Sequence, residues 1–354
     1  MGKLAVQKYF SFMMLIVSFL LMIFTLVGLY GGEVQPAGNT ARAMLVYALP
    51  LLIIANVVFL IYWLARLRFH WALMPLITLL CCIPYVGTIY QFGSTDEKAD
   101  IKSGIKLATY NVARFSGETT GFIAQDILAE MKRQKVDIAC IQEYNDFSGD
   151  KKNSESYKDY FPHSAFGNND MVIYSRYPIV NKKNIDFEQT NNSAMWVEVN
   201  VNDNIYRIYN VHLETTGFNS ALHQAAKLSK KGVEVEGNAI VNAIYGNYTV
   251  GMIARSGQAN MLAMDMRESE APVIVCGDFN DVPYSYVYNT MLGDKIDGFK
   301  ECGSGFMYTY RGDKKVRIDY IFHDKGMQGL TYYKRELSYS DHNPVFMKIA
   351  LNQQ

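Results

Sequence analysis

Two carboxylates and an amide follow a short apolar run late in the chain. Val273–Cys276 leads into Gly277, after which come Asp278, Asn280 and Asp281. A buried strand that ends in this way places an acid and an amide side by side at its tip. Such a pair is suited to holding a water molecule or a hard metal ion against a phosphate. The segment therefore predicts a strand end with a chemical role.

Side chains of similar chemistry recur at or near the ends of other apolar runs. They comprise one amide, three acids and two imidazoles: Asn111, Glu143, Asp319, Asp341, His212 and His342. Within Tyr209–Glu214 an amide, an imidazole and an acid occupy alternate positions and therefore share one side of a strand. Their number and placement predict one site that is assembled from several strand ends.

Each of these residues also has an ordinary structural explanation when it is considered alone. Asn111 could cap a turn, and His212 could be a half-buried, hydrogen-bonded histidine. Asp319 could form a structural ion pair with Arg317 or Arg176. The coincidence of all six residues in one chain is what favours a functional site.

The motifs together resemble those of the endonuclease/exonuclease/phosphatase superfamily, which includes pancreatic deoxyribonuclease, abasic-site endonucleases, neutral sphingomyelinases and inositol polyphosphate 5-phosphatases. The resemblance covers residues 107–351 and rests on six segments: Tyr110–Val112, Ile141–Glu143, Asn210–Glu214, Gly277–Asn280, Arg317–Ile321 and Ser340–Val345. It implies an α+β fold, a four-layer α/β sandwich in which two mixed sheets are flanked by helices. It also implies hydrolysis of a phosphoester with Mg²⁺ or Mn²⁺ as cofactor.

The resemblance implies a metal site at one edge of the two sheets. Glu143 would be the principal ligand, with Asn111 beside it, and Asp341 would reach the ion directly or through water. Oxygen ligands of this kind suit Mg²⁺ or Mn²⁺. The sequence shows no cluster of Cys and His at the spacing of a zinc site.

The resemblance implies catalytic roles for the remaining side chains. Asp278 would orient or deprotonate the attacking water, and Asn280 would hold that water or the phosphate. His342 would pair with Asp319, which would fix its tautomer and raise its basicity. His212 would donate a hydrogen bond to a phosphate oxygen as charge develops there.

Two positions depart from the pattern of the abasic-site endonucleases. Those enzymes carry an acid two residues after the first Asn, where this chain has Ala113, and they carry Tyr at the position of His212. The chain therefore resembles more closely the branch that contains deoxyribonuclease and the sphingomyelinases. A role in DNA repair is disfavoured.

Apolar residues are concentrated at the N-terminus. Three runs lack any charged residue: Tyr9–Tyr30, Ala43–Ala65 and Trp71–Phe92. Each matches the roughly 20 residues that a helix needs to cross the hydrocarbon core, so three transmembrane helices are predicted. The first run could instead be a signal peptide, but its apolar part is longer than the roughly 7–15 residues of a signal core.

Basic residues next to these runs predict their orientation. Lys3 and Lys8 precede the first run, and Arg66 and Arg68 lie between the second and the third. By the positive-inside rule the N-terminus is cytoplasmic, and three spans place the rest of the chain outside the cytoplasm. The predicted domains are a membrane anchor at 1–92, a linker at 93–104 and a catalytic domain at 105–354.

The soluble part has an ordinary charge balance. Residues 1–99 hold 6 of the 34 Lys and Arg and 3 of the 34 Asp and Glu, which leaves 28 and 31 for residues 100–354. This part lacks the positive excess that general nucleic-acid binding favours.

The hydrophobic pattern of residues 105–354 predicts its secondary structure. It predicts a helix at Phe122–Gln134, several apolar strands, and a mostly helical segment at Phe218–Ser269 that glycines such as Gly246 and Gly251 divide into pieces.

These observations favour a membrane-anchored, Mg²⁺-dependent phosphoesterase that hydrolyses a phosphodiester or phosphomonoester outside the cytoplasm. Tethering to a membrane and a slightly acidic domain point to a phospholipid, a sphingolipid or another small phosphodiester as the substrate. The alternative is an extracytoplasmic nuclease that cleaves DNA or RNA. No obligate protein partner is predicted.

Overall fold

The computed structural model describes residues 3–93, 104–116, 122–144, 157–188, 190–215, 237–312 and 314–351. The chain divides into two compact units. The first comprises Met1–Thr88 and Val282–Asn289, and the second comprises Ile89–Asp281 and Thr290–Gln354. Most of the predicted linker, residues 94–103, lies outside the described residues.

The N-terminal unit is built mainly from apolar helices: α1 Lys3–Gly31, α2 Thr40–Ala65, α3 Phe69–Cys81 and α4 Ile83–Val86. Two buried hydrogen bonds join α1 to α2. Asn56 Nδ2 donates to Thr25 Oγ1 at 2.9 Å, and Trp63 Nε1 donates to Ser18 Oγ at 2.9 Å. Such side-chain bonds commonly hold apolar helices together where no water can satisfy their polar groups.

Two helices among the described residues are long and apolar enough to cross a membrane. They are Val6–Gly31 and Thr40–Ala65, each of 26 residues, and only 22% and 17% of their most apolar stretches are buried. At about 1.5 Å per residue each helix is about 39 Å long, which exceeds the hydrocarbon thickness of a bilayer. Their exposed apolar surfaces distinguish them from the core helices of a soluble protein.

The prediction of a third long helix at Trp71–Phe92 is wrong. The segment contains most of the 13-residue helix α3, a break at Cys82 and the 4-residue helix α4, so the described chain has two helices of spanning length. Pro84 lies in the first turn of α4 and has no N–H to donate to a carbonyl one turn earlier. The hydropathy of this run is that of a span, but the proline interrupts the helix.

The second unit contains two six-stranded mixed sheets. The first sheet consists of β2 Ile105–Asn111, β3 Ile138–Gln142, β4 His163–Phe166, β5 Val172–Ser175, β13 Gln328–Lys334 and β14 Val345–Ala350, in the order β13-β14-β2-β3-β5-β4. The second consists of β6 Ile179–Asp186, β7 Ser193–Val201, β8 Asn204–His212, β9 Val273–Asp278, β10 Ile296–Asp297 and β12 Asp319–His323, in the order β10-β12-β9-β8-β7-β6. A separate ribbon pairs β1 Tyr90–Gln91 with β11 Gly305–Phe306.

The two sheets pack face to face around one apolar core. Inward-facing residues of both sheets meet there, among them Ile138 and Cys140 of β3 and Ile274 and Cys276 of β9. The remaining helices are α5 Ala124–Arg133, α6 Gly237–Arg267, α7 Tyr286–Leu292 and α8 Gly298–Cys302, and a 3-10 turn occupies Ala113–Ser116.

Helices cover the outer faces of both sheets. Ile127, Leu128 and Met131 of α5 pack on the outer side of the first sheet. On the second sheet, Asp265 of α6 accepts hydrogen bonds from Trp196 Nε1 at 3.0 Å and from Tyr209 OH at 2.6 Å. The predicted sandwich of two mixed sheets flanked by helices is confirmed for the described residues.

The predicted glycine breaks in the segment 218–269 are wrong where the segment is described. Gly246 and Gly251 lie inside the continuous 31-residue helix α6, although residues 216–236 lie outside the described part. The cost of about 1 kcal/mol per glycine in a helix is small beside the burial of one face. The predicted helix at Phe122–Gln134 is confirmed as α5.

Candidate active site

The polar strand ends meet at one edge of the sandwich. β2 and β3 are parallel neighbours and place Asn111 beside Gln142, whereas β8 and β9 are parallel neighbours in the other sheet and place His212 beside Asp278. β12 runs antiparallel to β9, so that its first residue, Asp319, lies opposite Asp278. Residues far apart in sequence are thus brought together by strand pairing.

A buried cluster of two acids and a histidine forms the centre of the site. Asp278, Asp319 and His342 each offer a ligand atom within 4.8 Å of those of the others. His342 Nδ1 lies 2.9 and 3.2 Å from the two Asp319 oxygens, and its Nε2 lies 3.6 Å from Asp278 Oδ2. The Asp319–His342 pair predicted from the sequence is therefore present in the structure.

The surroundings of this cluster raise the pKa values of both His342 and Asp278. Burial disfavours the imidazolium, but the Asp319 and Asp278 carboxylates outweigh it and raise the pKa of His342 to about 10. Burial and the Asp319 charge raise the pKa of Asp278 to about 7. At neutral pH His342 therefore carries a positive charge, and Asp278 can gain or lose a proton.

Asn111 connects this cluster to Glu143. Its Nδ2 donates to Glu143 Oε1 at 3.1 Å and to Asp278 Oδ2 at 3.0 Å, while its Oδ1 accepts from Ala113 N at 2.9 Å. Asn111 is thus both the turn cap considered above and a member of the site. Its amide nitrogen, rather than its oxygen, faces the two carboxylates, and its predicted role as a metal ligand stays a prediction.

Glu143 forms the outer wall of the site. Its backbone has a φ of +52°, and its side chain is partly exposed. Arg114 Nε lies 4.0 Å from Glu143 Oε2 and 3.8 Å from Asp170 Oδ2. A cation held at this rim lies where it could meet a phosphate group.

His212 points toward Glu143 from the end of β8. Its Nε2 lies 3.6 Å from Glu143 Oε1 and, among the described residues, has no hydrogen-bond partner although it is buried. Burial lowers the pKa of His212, so its imidazole is neutral. A buried polar atom of this kind is expected to meet a ligand or a water.

The loop after β9 fixes Asn280. Its backbone N donates to Asp278 Oδ1 at 2.8 Å, and its Nδ2 donates to Leu213 O at 2.9 Å. These bonds leave the side-chain oxygen to accept from a water. Gly277, which precedes Asp278 in β9, has to be glycine because its φ is +148° and a Cβ there would lie 2.0 Å from Val211 O.

The residues of the last motif lie beside His342. Asp341 has an exposed side chain, and its charge also raises the pKa of His342. Ser340 Oγ donates to Asn111 O at 2.8 Å and accepts from His342 N at 3.0 Å, which ties the loop to the end of β2. The predicted metal contact of Asp341 stays a prediction.

Alternative ion pairs for Asp319 are not formed. Arg317 donates to both carboxylate oxygens of Asp297 at 2.8 and 2.5 Å. Arg176 donates to Asp137 Oδ1 at 2.6 Å. Each arginine is thus paired with another acid, and Asp319 is left to His342.

Sequence reasoning missed the buried amides beneath the site. Gln142 Nε2 donates to Asn210 Oδ1 at 2.6 Å and to Thr109 Oγ1 at 2.9 Å. Asn210 Nδ2 in turn donates to Ile141 O and Val172 O, each at 3.0 Å, so the network joins one sheet to the other. Both residues stand in the motifs quoted above, next to Glu143 and His212, and that proximity was the available signal.

Helix α6 also supports the site from behind. Arg255 is fully buried, donates to Glu214 O at 2.9 Å and lies 3.4 Å from Asp281 Oδ2. Gln258 Oε1 accepts from Glu214 N at 2.8 Å. These bonds fix the described residues that follow His212 and Asn280, and they give helix α6 a structural role at the site.

The donor set fits a hard divalent cation. Glu143, Asp278, Asp319 and Asp341 supply carboxylate oxygens, and the orphaned Nε2 of His212 faces the Glu143 carboxylate. The described residues offer no thiolate cluster at this site, because Cys140 and Cys276 are free thiols that lie together in the apolar core and Cys302 is a free thiol in α8. Carboxylate oxygens with room for water are the ligands that Mg²⁺ and Mn²⁺ prefer.

Comparison with known proteins places this chain in one class, that of phosphoester hydrolases. The model of the endonuclease/exonuclease/phosphatase family matches residues 108–342, and a model of a domain of unknown function matches residues 10–89. The chain belongs to the endonuclease/exonuclease/phosphatase family, whose members hydrolyse phosphoesters. No curated protein matches the chain.

Solved structures share the fold at low sequence identity. An endonuclease/exonuclease/phosphatase from Bacteroides vulgatus is 16% identical with a TM-score of 0.51, over 71% of this chain and 100% of that one. A protein of the same description from Beutenbergia cavernae is 17% identical with a TM-score of 0.51, over 71% and 72%. The catalytic domain of human nocturnin, solved with a bound sulfate anion, is 17% identical with a TM-score of 0.51, over 70% and 95%.

Proposed function

We propose that this chain is a membrane-anchored phosphoesterase that depends on Mg²⁺ or Mn²⁺ and acts outside the cytoplasm. The observation that supports it best is the buried Asp278–Asp319–His342 cluster, which Asn111 links to Glu143. Three acids and a charged histidine at one edge of a fold from this family suit the transfer of a phosphoryl group to water.

The proposed metal site consists of Glu143 with Asn111 and Asp341. A divalent ion bound there would neutralise charge on the phosphate oxygens and ease departure of the leaving oxygen. Because the Asn111 nitrogen faces both carboxylates, the amide must turn over if its oxygen is to act as a ligand. Turning it would place the nitrogen toward Ala113 N, so that a water or a small loop movement must replace the Asx-turn bond.

Side chains of the chain then accept the proton of the attacking water and stabilise the negative charge that develops on the phosphate. Asp278 holds the attacking water and accepts its proton, for which a pKa of about 7 is well matched to neutral pH. Asn280 positions the same water through its side-chain oxygen. The charged His342, held by Asp319, and the neutral His212 donate hydrogen bonds to the phosphate oxygens as negative charge develops.

The proposed location outside the cytoplasm depends on how often the chain crosses the membrane. Two helices of spanning length return the chain to the side of the N-terminus. We propose that α3 and α4 together, residues 69–86, form the further crossing as a kinked segment, since 18 residues at about 1.5 Å each extend about 27 Å. Alkaline phosphatase fused after residue 93 would then be active, whereas a fusion after Arg68 would be inactive.

A membrane lipid or another small phosphodiester is the proposed substrate class. The anchor confines the site near a bilayer, and the 28 basic against 31 acidic residues of 100–354 give no net positive charge to favour polyanion binding. An extracytoplasmic nuclease is the competing function, and the experiment below includes it as a separate outcome.

A substrate panel tests the proposal. The full chain in detergent micelles would be assayed with Mg²⁺ against phospholipids, sphingolipids, nucleotide phosphates, DNA and RNA. We expect release of a phosphorylated headgroup, and loss of that release in the Asp278→Asn variant. The Asp137→Asn variant is the matched control, because Asp137 is paired with Arg176 away from the site. Cleavage of nucleic acid alone would favour the nuclease, and no hydrolysis of any substrate would overturn the proposal.

A further inference from the structure

The short ribbon of β1 and β11 carries exposed aromatic side chains. The two strands pair antiparallel, with Tyr90 opposite Phe306. Tyr90, Phe306 and Phe92 are 39%, 53% and 92% exposed, and Phe92 is the most exposed large apolar side chain that the structure describes. We call these three residues the aromatic ribbon.

The aromatic ribbon is an ordered surface. The rings of Tyr90 and Phe92 are in edge contact with centroids 5.0 Å apart, and Phe306 lies 5.9 Å from Tyr308. Met307 N donates to Ile89 O at 2.8 Å and holds the two strands together. Three neighbouring aromatic side chains that remain this exposed on an ordered backbone mark a surface that binds something apolar.

Chain connectivity determines where this surface can lie. β1 begins four residues after α4, which ends the apolar segment at Val86. Four residues extend at most about 14 Å, so Tyr90 cannot be farther than this from the end of the apolar helix. Aromatic side chains are enriched where such helices emerge at the interface between hydrocarbon and water.

The other strand of the ribbon leads to the active site. Three residues after Phe306, Thr309 Oγ1 accepts hydrogen bonds from Ile318 N and Asp319 N, each at 2.9 Å. The next residue, Tyr310, places its ring against His342 with centroids 5.1 Å apart. The backbone from Phe306 to Tyr310 therefore keeps the ribbon within about 14 Å of a residue that touches the catalytic histidine.

We propose that the aromatic ribbon inserts into the headgroup region of the bilayer that holds the anchor, and so presents the active site to phosphoesters of membrane lipids. This inference rests on the proposed function, in which the N-terminal helices lie in a membrane. The covalent continuity with an apolar segment favours the bilayer over a second copy of the chain as the occupant. Insertion of aromatic rings depends little on charge, so the extent to which the ribbon inserts into the bilayer is expected to vary little with salt concentration.

Fluorescence quenching tests the insertion. A fluorescent amino acid is incorporated at Phe306 of the full chain, and separately at Val180, which is 55% exposed on β6. Both proteins are reconstituted in phosphatidylcholine vesicles with or without nitroxide-labelled lipid. We expect loss of fluorescence at position 306 and little loss at 180. Equal behaviour at the two positions overturns the proposal, as does crosslinking of position 306 to a second copy.

Activity measurements test the consequence. In the Phe92→Ser, Phe306→Ser double variant, kcat/KM on vesicle lipid should fall about 10-fold or more, because the variant loses two aromatic side chains that would be inserted in the bilayer. Hydrolysis of soluble bis(p-nitrophenyl) phosphate should be unchanged, and Val180→Ser should change neither. If the variant acts on both substrates as well as the parent does, the ribbon proposal fails. If the parent hydrolyses neither substrate, the proposed function fails, whatever the quenching shows.

Discussion

Replacing Asp319 with asparagine removes the carboxylate charge that raises the pKa of His342. The two side chains have the same size, and Asp319 is held in place by its backbone, whose N–H donates to Thr309 Oγ1 at 2.9 Å. Its carboxylate lies 2.9 and 3.2 Å from His342 Nδ1. The substitution therefore removes one negative charge from a buried site while the packing of β12 is preserved.

The size of the effect follows from the pKa of His342. With a pKa of about 10, the imidazole is almost fully charged at pH 8. If the pKa returns to its ordinary value of about 6.5, only about 3% of the imidazole is charged at pH 8, a loss of about 30-fold. An imidazole is charged below its pKa and loses that charge as the pH rises through it. In the variant, whose His342 pKa would be about 6.5, about three quarters of the imidazole is therefore still charged at pH 6.

The assay is kcat/KM for a soluble phosphodiester between pH 6 and pH 8. We expect Asp319→Asn to lose about 30-fold or more at pH 8, within the range of about 10²–10⁴ that acid–base groups contribute, and clearly less at pH 6. Asp137→Asn, which disrupts an ion pair away from the site, should change stability without changing the pH profile. A variant that stays within threefold of the parent at both pH values would falsify the role given to the pair.

Further predictions concern the metal, the support from α6 and the backbone. EDTA should abolish hydrolysis, and Glu143→Gln should raise the Mg²⁺ concentration needed to restore it by about 100-fold, as a metal titration would show. Arg255→Met should lower the free energy of unfolding by about 3–5 kcal/mol, because the buried Asp281 carboxylate loses an offsetting charge, and adding Asp281→Asn should recover part of it in thermal unfolding. Gly277→Ala should prevent stable folding, whereas Gly246→Ala, in an open helical position, should stabilise by about 0.5–1 kcal/mol in the same measurement.

The sequence was sufficient to predict the central strands because their patterns are unambiguous. β9 extends the predicted Val273–Cys276 by two residues, and β2 is one of the apolar strands that the pattern of the second unit predicts. These strands are buried on both faces, so their apolar runs stand out from the surrounding sequence. Their polar ends then show which edge of the sandwich carries the site.

Elements whose positions depend on tertiary contacts could not be predicted in the same way. β6, at Ile179–Asp186, is an edge strand whose side chains are mostly exposed and polar, and its sequence resembles a loop. Arg255 and Gln258 approach the site from a helix, so nothing in their spacing links them to His212 or Asn280. Pro84 was visible in the third apolar run, but hydropathy alone does not count the hydrogen bond that proline removes.

Backbone strain supports the view that this site is organised before the substrate binds. Four non-glycine residues around it have positive φ: Ala113, Arg114, Glu143 and Asn280, at +46°, +51°, +52° and +51°. For residues other than asparagine this conformation costs about 1–2 kcal/mol each. The fold offsets the cost with hydrogen bonds such as those that Ala113 N donates to Asn111 Oδ1 and Asn280 N donates to Asp278 Oδ1. Strain that is retained at residues around the site, and offset by hydrogen bonds to the Asn111 and Asp278 side-chain oxygens, is what a preorganised electrostatic site requires.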